Sequence, residues 1–270
     1  MAEPLVIVDV QEGIGQIRFN RPGKMNALNN ELMHAAIAAV DEINACPDAR
    51  VILVSGAGRA FSAGFDLQAA SERQLDSHEK WREQLELQFD FIMSFWNSPL
   101  PTIAVVHGYC LAGAFEVSLA CDMTICSDDA VFGEPEVRFG SGAVAMLFPW
   151  VTGPKQAKEI LLSGEDRIPA ARALQMGLVN RVVPADELEA QSMRLAKNIA
   201  AASTAAVRKT KQAINRSYDI MGIRQALATG LDIDVDINAA PSWEKQEFSR
   251  IRKEEGVKAA IAWRDGRFTP

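Results

Sequence analysis

One carboxylate lies inside a long apolar stretch of this sequence. Residues 107–122 read HGYCLAGAFEVSLACD, and Glu116 is the only acid between Asp90 and Asp122. Gly113 stands where a helix would begin after the apolar segment TIAVV, so its N–H is free at the positive end of the helix dipole. Residues three apart share a helix face, which places an oxyanion donor beside a carboxylate. A helix cap or a buried ion pair would explain Glu116 equally well.

Small residues in an earlier turn offer a second oxyanion donor. The segment GAGRAFSAGFDL follows the apolar strand VILVSG, and its residues Ser62, Ala63 and Gly64 let a ligand approach the main chain closely. The N–H of Ala63 is therefore a candidate donor. A tight connection between a strand and a helix is the alternative interpretation.

A further pair of carboxylates lies in the segment VFGEPEVRFG. Pro135 restrains the backbone of a loop that carries Glu134 and Glu136 out of an apolar strand. We expect one of these carboxylates to face the same cavity as Glu116.

Other catalytic templates lack the residues that they require. Residues 140–145 read GSGAVA and match a dinucleotide fingerprint, but no buried strand precedes them. Gly108 and Gly113 have the spacing of a phosphate loop, yet Ala114 and Phe115 stand where Lys and Ser or Thr are needed. The four cysteines and three histidines form no metal-ligand motif. We expect no metal and no cofactor.

Charge and composition limit the possible partners. The 270 residues carry a net charge of −7, are 48% hydrophobic, and show no cluster of Lys and Arg. A nucleic acid or an anionic membrane would be repelled, so neither is an expected partner. The N-terminal sequence has acids where a targeting peptide needs bases, which favours a cytoplasmic location.

The elements that must position these residues alternate between strand and helix. Strand patterns at VIVDV and GQIRFN precede a helix in NALNNELMHAAIAAVDEINA and the buried strand VILVSG. A helix at about residues 77–97, the strand TIAVV, the helix that holds Glu116 and the strand MTICS follow. From about Pro184 the pattern is nearly all helical. This order predicts a layered or spiral α/β core with a helical appendage.

Several segments resemble, in the right order, the crotonase or enoyl-CoA hydratase/isomerase superfamily. NRPGKMNALNNEL is similar to its coenzyme A loop, AFSAGFDL to its first oxyanion turn, HGYCLAGAFEVSLACD to its second, and FGEPEV to its second catalytic segment. TGPKQAKEILLSGEDRIPAARALQMGLVNRVVP and EGVKAAIAWRDGRF are similar to later segments. The resemblance implies an α/β, crotonase-like spiral of ββα units over residues 1–200, then a helical C-terminal trimerisation region over residues 201–270.

The resemblance also implies roles for individual residues in an acyl-CoA site. Ala63 and Gly113 would be the oxyanion donors, while Glu116 and Glu136, 20 residues apart, would match the paired glutamates of the hydratases. Syn addition of water to a 2-enoyl-CoA is the implied reaction. Contacts with coenzyme A are implied for eight residues in two loops: Lys24, Met25, Ala27, Leu28, Ser62, Gly64, Phe65 and Asp66.

Departures from the hydratase pattern leave the reaction open. Ala112, Gly113 and Ala114 stand where hydratases commonly have three glycines, and we expect Phe65 and Phe115 to narrow the cavity. The Pro and paired glycines that usually follow the second glutamate are absent from VRFGSGAVAML. A Δ3,Δ2-enoyl-CoA isomerase or a feruloyl-CoA-type hydratase/lyase is the alternative within the superfamily. A non-catalytic acyl-CoA-binding homologue is a remote alternative.

The helical tail is expected to lie between the subunits of a homotrimer or a dimer of trimers. It has large apolar residues that a peripheral appendage would expose to water. They are Leu227, Leu231, Ile233, Ile237, Trp243, Phe248, Ile251 and Trp263. The acyl pocket is expected to draw on residues 68–81 and 139–150.

Overall fold

The computed structural model describes residues 3–73 and 75–268. In this part of the chain the strands are β1 (Val6–Gln11), β2 (Ile14–Phe19), β3 (Val51–Gly56), β4 (Thr102–Val106), β5 (Tyr109–Leu111), β6 (Met123–Ser127), β7 (Val131–Gly133), β8 (Ile168–Pro169) and β9 (Arg181–Val183). The helices are α1 (Asn30–Ala45), α2 (Leu67–Glu72), α3 (His78–Asn97), α4 (Gly113–Ala120), α5 (Phe148–Val151), α6 (Pro154–Ser163), α7 (Ala170–Gln175), α8 (Leu188–Ala201), α9 (Thr204–Ile220), α10 (Ile223–Ala239), α11 (Trp243–Glu255) and α12 (Val257–Asp265). None of these helices is long and apolar enough to cross a membrane.

The larger sheet has helices on both faces. Its strand order is β1-β2-β3-β4-β6-β9, in which β1 and β2 are antiparallel and every other neighbouring pair is parallel. Leu53 and Val105 pack with residues of α8, whereas Val54 and Val106 join the main core with α1 and α3. Burial on both faces explains why β3 and β4 are almost continuously apolar. The predicted α/β order with a helical C-terminal region is confirmed.

The smaller sheet places the start of α4. Its order is β5-β7-β8, with β5 parallel to β7 and β7 antiparallel to β8. Just beyond β5, the Ala112 N–H donates to the Gly133 carbonyl at 2.8 Å, which fixes the chain where α4 begins. Neither β5 nor β8 was predicted from the sequence, because two or three residues cannot show an alternating pattern.

Capping residues at the helix starts agree with the predicted boundaries. The Asn29 side chain accepts the Leu32 N–H at 3.1 Å at the start of α1. The Ser77 hydroxyl accepts the Lys80 N–H at 3.3 Å and begins α3 at the predicted place. Each cap satisfies an N–H that has no partner within its own helix.

The tail helices pack against their own chain. Leu227 and Leu231 of α10 belong to the main core, and Phe248 and Ile251 of α11 form a small cluster with Ala260 of α12. The expectation that all eight apolar tail residues need a second subunit for burial is therefore wrong for four of them. Three of the eight do remain exposed, at 54%, 39% and 59%: Ile233, Ile237 and Trp243. Trimerisation stays a prediction for that surface.

Candidate active site

Glu116 is a carboxylate bound by main-chain N–H groups inside the core. The residue is fully buried on α4, and its Oε1 accepts the Val144 N–H at 3.2 Å while its Oε2 accepts the Ala145 N–H. These donors lie in an irregular segment, residues 141–147, which precedes α5. No ion pair to Glu116 is found within residues 3–73 and 75–268, and its oxygens do not cap their own helix. Both structural explanations of Glu116 thus fail.

Phe115, the neighbour of Glu116, faces the core instead of the site. It is fully buried, and its ring centroid lies 5.1 Å from those of both Phe132 and Phe148. The expectation that Phe115 narrows the cavity is wrong, because successive helical residues point about 100° apart.

The start of α4 leaves the Gly113 N–H free. The N–H groups of Phe115 and Glu116 donate to the Ala112 carbonyl at 2.7 and 3.1 Å. Gly113 N has no acceptor in the described ranges. Ala112 takes φ 54° and ψ −134°, a backbone conformation that favours glycine and that sets the direction of the following N–H.

The Ala63 N–H is engaged, which corrects its prediction as an oxyanion donor. It donates to the Met25 carbonyl at 2.9 Å. The bridge between Leu28 and Phe65 uses the carbonyl of Gly64 and the N–H of the residue after Phe65, so the Phe65 N–H points to the opposite side. Phe65 N has no acceptor in the part of the chain that the structure describes. The turn therefore offers Phe65, not Ala63, as its free donor.

The two free donors belong to adjoining turns. A Cβ atom on Gly113 would lie 2.3 Å from the Phe65 ring, so the ring covers the Gly113 backbone directly. Gly64 is equally close to the second turn, since a Cβ there would lie 2.7 Å from the Leu111 carbonyl oxygen. Glycine at both positions is thus required by close approach.

The loop predicted to bind coenzyme A uses most of its N–H groups internally. Those of Met25 and Ala27 donate to the carbonyls of Pro22 and Lys24, both at 3.1 Å, and that of Leu28 donates to Gly64 at 2.8 Å. These N–H groups are not free for the nucleotide, although the exposed Lys24 ammonium lies at the surface. Contacts with coenzyme A therefore stay a prediction for the side chains and carbonyl groups of this loop, and the carbonyls of Lys24, Met25 and Leu28 each accept an N–H already.

Two further residues predicted to contact coenzyme A have structural partners. The Asp66 carboxylate pairs with Arg21 at 2.9 Å and accepts two N–H groups at the start of α2, from Gln68 and Ala69, both at 3.1 Å. The buried Ser62 hydroxyl donates to the Asn26 carbonyl at 2.8 Å. Asp66 and Ser62 therefore stabilise the turn that contains Gly64 and Phe65.

Asn26 locks the two loops together and was missed by the sequence analysis. Its fully buried amide nitrogen donates to the carbonyls of Ala57, Ala60 and Phe61 at 2.8, 2.9 and 3.1 Å. Its Oδ1 accepts the Arg21 N–H at 2.9 Å. The available signal was its residue type, because asparagine tolerates the positive φ of 52° found here.

Four carboxyl groups form one cluster, in which Glu116, Glu134 and Asp234 are buried and Glu136 is partly buried. Burial raises the pKa of Glu116 well above its ordinary value, with Glu136 acting in the same direction and two backbone N–H groups opposing. Burial, with the Asp234 charge, raises the pKa of Glu136 to about 8, while Arg264 opposes. Burial raises the pKa of Asp234 itself to about 6. The cluster therefore retains protons near neutral pH.

Glu134 and Asp234 add to this cluster in different ways. Glu134 is 1% exposed, its pKa is raised well above the ordinary value by burial and by its acidic neighbours, and neither carboxyl oxygen has a partner in the described residues. Asp234 comes from α10 and was not predicted. One of Glu134 and Glu136 was expected to face the site. Both belong to the cluster, because each interacts electrostatically with the other acids in it.

An apolar cavity of about 340 Å³ begins beside Glu136. Its walls come from residues 141–149, from α6 and from Ile237 of α10. Part of the predicted acyl pocket, residues 139–150, therefore does line a cavity. With the free N–H groups of Phe65 and Gly113, the chain offers oxyanion donors, titrating carboxyls and an apolar space.

Comparisons with known proteins show the family of this chain. The family profile described as Enoyl-CoA hydratase/isomerase matches residues 9–257. A probable enoyl-CoA hydratase of Mycobacterium bovis is 33% identical over 232 residues, covering 81% of this chain and 84% of that protein. A hydroxycinnamoyl-CoA hydratase-lyase of Pseudomonas fluorescens is 31% identical, covering 80% of this chain and 79% of that protein.

Solved structures share the fold over the full length. An enoyl-CoA hydratase/isomerase from Xanthobacter autotrophicus is 47% identical, with 100% of both chains covered and a TM-score of 0.97. An enoyl-CoA hydratase from Mycobacterium smegmatis is 28% identical, with 98% of this chain and 94% of that chain covered and a TM-score of 0.89. The chain belongs to the enoyl-CoA hydratase/isomerase family of the crotonase superfamily.

Proposed function

We propose that this protein is an enoyl-CoA hydratase, which adds water across the 2,3 double bond of a 2-enoyl-CoA thioester without a metal or a separate cofactor. The observation that carries the proposal is that Glu116 and Glu136 belong to one cluster of acids and that Glu116 lies on the helix that begins with the free Gly113 N–H. The names of several relatives, probable enoyl-CoA hydratases, support the same reaction.

The thioester oxygen is placed between the N–H groups of Phe65 and Gly113. Attack of water at C3 moves the electron pair of the double bond towards C2 and the thioester oxygen. Two N–H donors held in place by the fold stabilise that developing charge by roughly 3 kcal/mol each, because they need no reorganisation. Phe65 takes the role that the sequence analysis gave to Ala63.

The two glutamates divide the proton transfers between them. Glu116 acts as the base from its ionised form, which the N–H groups of Val144 and Ala145 favour, although burial raises its pKa well above the ordinary value. It accepts a proton from water as the C3–O bond forms. Glu136 holds a proton up to a pKa of about 8 and gives it to C2. Delivery of both groups from one side makes the addition syn, and a proton passing from Glu116 to Glu136 restores the site.

We further propose that the acyl group enters the cavity beside Glu136. If each non-hydrogen atom needs about 30 Å³, as a water molecule does in the liquid, the cavity accepts an acyl tail of roughly ten atoms. Nearly all of its accessible wall is apolar, which favours an unsubstituted alkyl or aryl group. The coenzyme A phosphates are placed at the surface beside Lys24 and Arg59, both exposed.

Hydration and its two alternatives are separated by their products. A hydratase consumes the conjugated double bond of crotonyl-CoA, an isomerase creates that conjugation from a 3-enoyl-CoA, and a hydratase-lyase releases an aldehyde from a hydroxycinnamoyl-CoA. The hydratase-lyase activity is included because one relative is named a hydroxycinnamoyl-CoA hydratase-lyase. Binding of all three thioesters without turnover would favour the non-catalytic homologue.

The two-glutamate mechanism is tested by Glu116→Gln and Glu136→Gln. Each variant is expected to lower kcat for hydration by about 10²-fold or more, because one proton transfer loses its donor or acceptor. The exposed Glu79→Gln is the matched control and should keep wild-type activity. Near wild-type turnover in either site variant, with circular dichroism unchanged, would refute the mechanism.

A further inference from the structure

Helix α10 makes a direct connection to the segment that holds Glu116. Asp234 Oδ1 accepts the Gly142 N–H at 2.9 Å, and Asn238 Oδ1 accepts the Ser141 hydroxyl at 2.9 Å. The Asn238 amide also donates to Asp234 Oδ1 at 2.8 Å, so the two side chains brace each other one helical turn apart. Both are buried, at 2% and 7% exposure.

The same irregular segment binds Glu116 at its other end. Gly142 is two residues before Val144, whose N–H donates to Glu116 Oε1, and Ala145 donates to Oε2. A Cβ atom on Gly142 would lie 2.8 Å from Asp234 Oδ1, so glycine permits this close approach. Since residues 141–145 have no regular secondary structure, their position depends on such side-chain contacts.

We propose that Asp234, braced by Asn238, is a positioning residue that fixes residues 141–145 and thereby holds the Glu116 carboxylate in its working orientation. The inference rests on the proposed function only in giving Glu116 a catalytic task. It assigns to the helical tail a part in the active site that neither the sequence nor the family resemblance indicated.

The charge of Asp234 has a second effect, on Glu136. The groups whose charges act on Glu136 come from several elements: Asp234 from α10 and Arg264 from α12, with Glu116 from α4 and Glu134 from the same loop. The Asp234 charge keeps the proton on Glu136, while Arg264 favours its loss. Removing the Asp234 charge should therefore let Glu136 ionise at lower pH.

Two substitutions separate the hydrogen bond from the charge. Asp234→Ala removes both, and we expect kcat to fall roughly 10- to 100-fold with little change in KM, since Glu116 loses its orientation. Asp234→Asn keeps an acceptor for the Gly142 N–H, so most of kcat should return, but the alkaline limb of the pH profile should move to lower pH. Asp236→Asn, at an exposed position on the same helix, is the control and should change neither.

Hydrogen–deuterium exchange tests the positioning without any substrate. In Asp234→Ala the peptide that spans residues 141–147 should exchange faster than in the wild type, whereas Asp234→Asn and Asp236→Asn should leave it protected. Hydrogen–deuterium exchange therefore tests the positioning role of Asp234 even if the protein proves not to be a hydratase. Unchanged exchange and kcat in Asp234→Ala would overturn the proposal. An equal loss of kcat in Asp234→Ala and Asp234→Asn without a shifted pH profile would reduce Asp234 to a general stabilising role.

Discussion

Ala112 shows how a single residue can store strain beside a proposed oxyanion donor. Its φ of 54° and ψ of −134° lie in a region that is nearly restricted to glycine, yet the residue is alanine. The conformation is held by the Ala112 N–H bond to Gly133 at 2.8 Å and by the Ala112 carbonyl, which accepts two N–H groups of α4. This strained residue directs the Gly113 N–H away from the helix, where an oxyanion can reach it.

Replacing Ala112 by glycine should relieve this strain. Strain of about 1–3 kcal/mol disappears, while glycine costs about 0.5–1 kcal/mol in chain entropy, so we expect a gain in unfolding free energy of about 1 kcal/mol. Urea denaturation of the wild type and the variant measures this difference in unfolding free energy. Ala114→Gly is the matched control in the same helix and should destabilise the protein by about 1 kcal/mol or more. Loss of stability in Ala112→Gly would show that the backbone is not strained there.

At the scale of elements, the cavity that we propose for the acyl group lies between α6 and the irregular segment after Glu136. Its inner wall includes the partly buried Leu161 of α6, whereas the next residue, Leu162, is 76% exposed at the mouth. With the acyl group in this cavity, as proposed, the length that fits would be limited by the side chains of α6 and not by the turns that carry the N–H donors.

Filling this cavity should shorten the preferred substrate. Leu161→Trp is expected to lower kcat/KM for a decenoyl-CoA by about tenfold or more relative to crotonyl-CoA, because only the longer tail meets the added ring. Leu174→Trp, on α7 and outside the cavity, is the control. An equal fall for both thioesters would indicate general damage, and no change for either would place the acyl group elsewhere.

The elements also show where sequence reasoning succeeds and where it stops. Glu116 and Gly113 could be found because an acid and a helix start stand out in an apolar run. The choice between Ala63 and Phe65 could not be made, since it depends on which N–H the Leu28 pairing leaves free. Asp234 could not be predicted either, because it is one of three alternating acids in LDIDVDIN. A helix turns by about 200° over two residues, so Asp234 faces inwards while Asp232 and Asp236 face solvent.

At the scale of the whole molecule, the acid cluster makes stability depend on pH. A carboxyl whose pKa is higher in the folded than in the unfolded protein adds stability at low pH, and that stability is lost as pH rises through the folded value. The pKa of Asp234 is raised to about 6 and that of Glu136 to about 8. The free energy of unfolding should therefore decrease between about pH 4 and pH 8.

Thermal unfolding at pH 5.5 and pH 8.5 measures this dependence. We expect a lower Tm at pH 8.5, and a smaller difference in Glu134→Gln, which removes one buried ionisable group from the cluster without changing its size. Asp76→Asn, at an exposed position, should keep the wild-type difference. A Tm that is equal at both pH values would mean that the buried acids titrate normally.

The dependence of Glu116 on α10 also has a consequence for synthesis of the chain. During translation Gly113 and Glu116 are synthesised first, and Asp234 and Asn238 follow only after more than a hundred further residues. The sheet and α4 are then available to fold before the helix that braces residues 141–145 exists. The sheet and α4 can therefore form before the contact that we propose orients Glu116, and a chain stalled ahead of α10 would contain both glutamates without that contact.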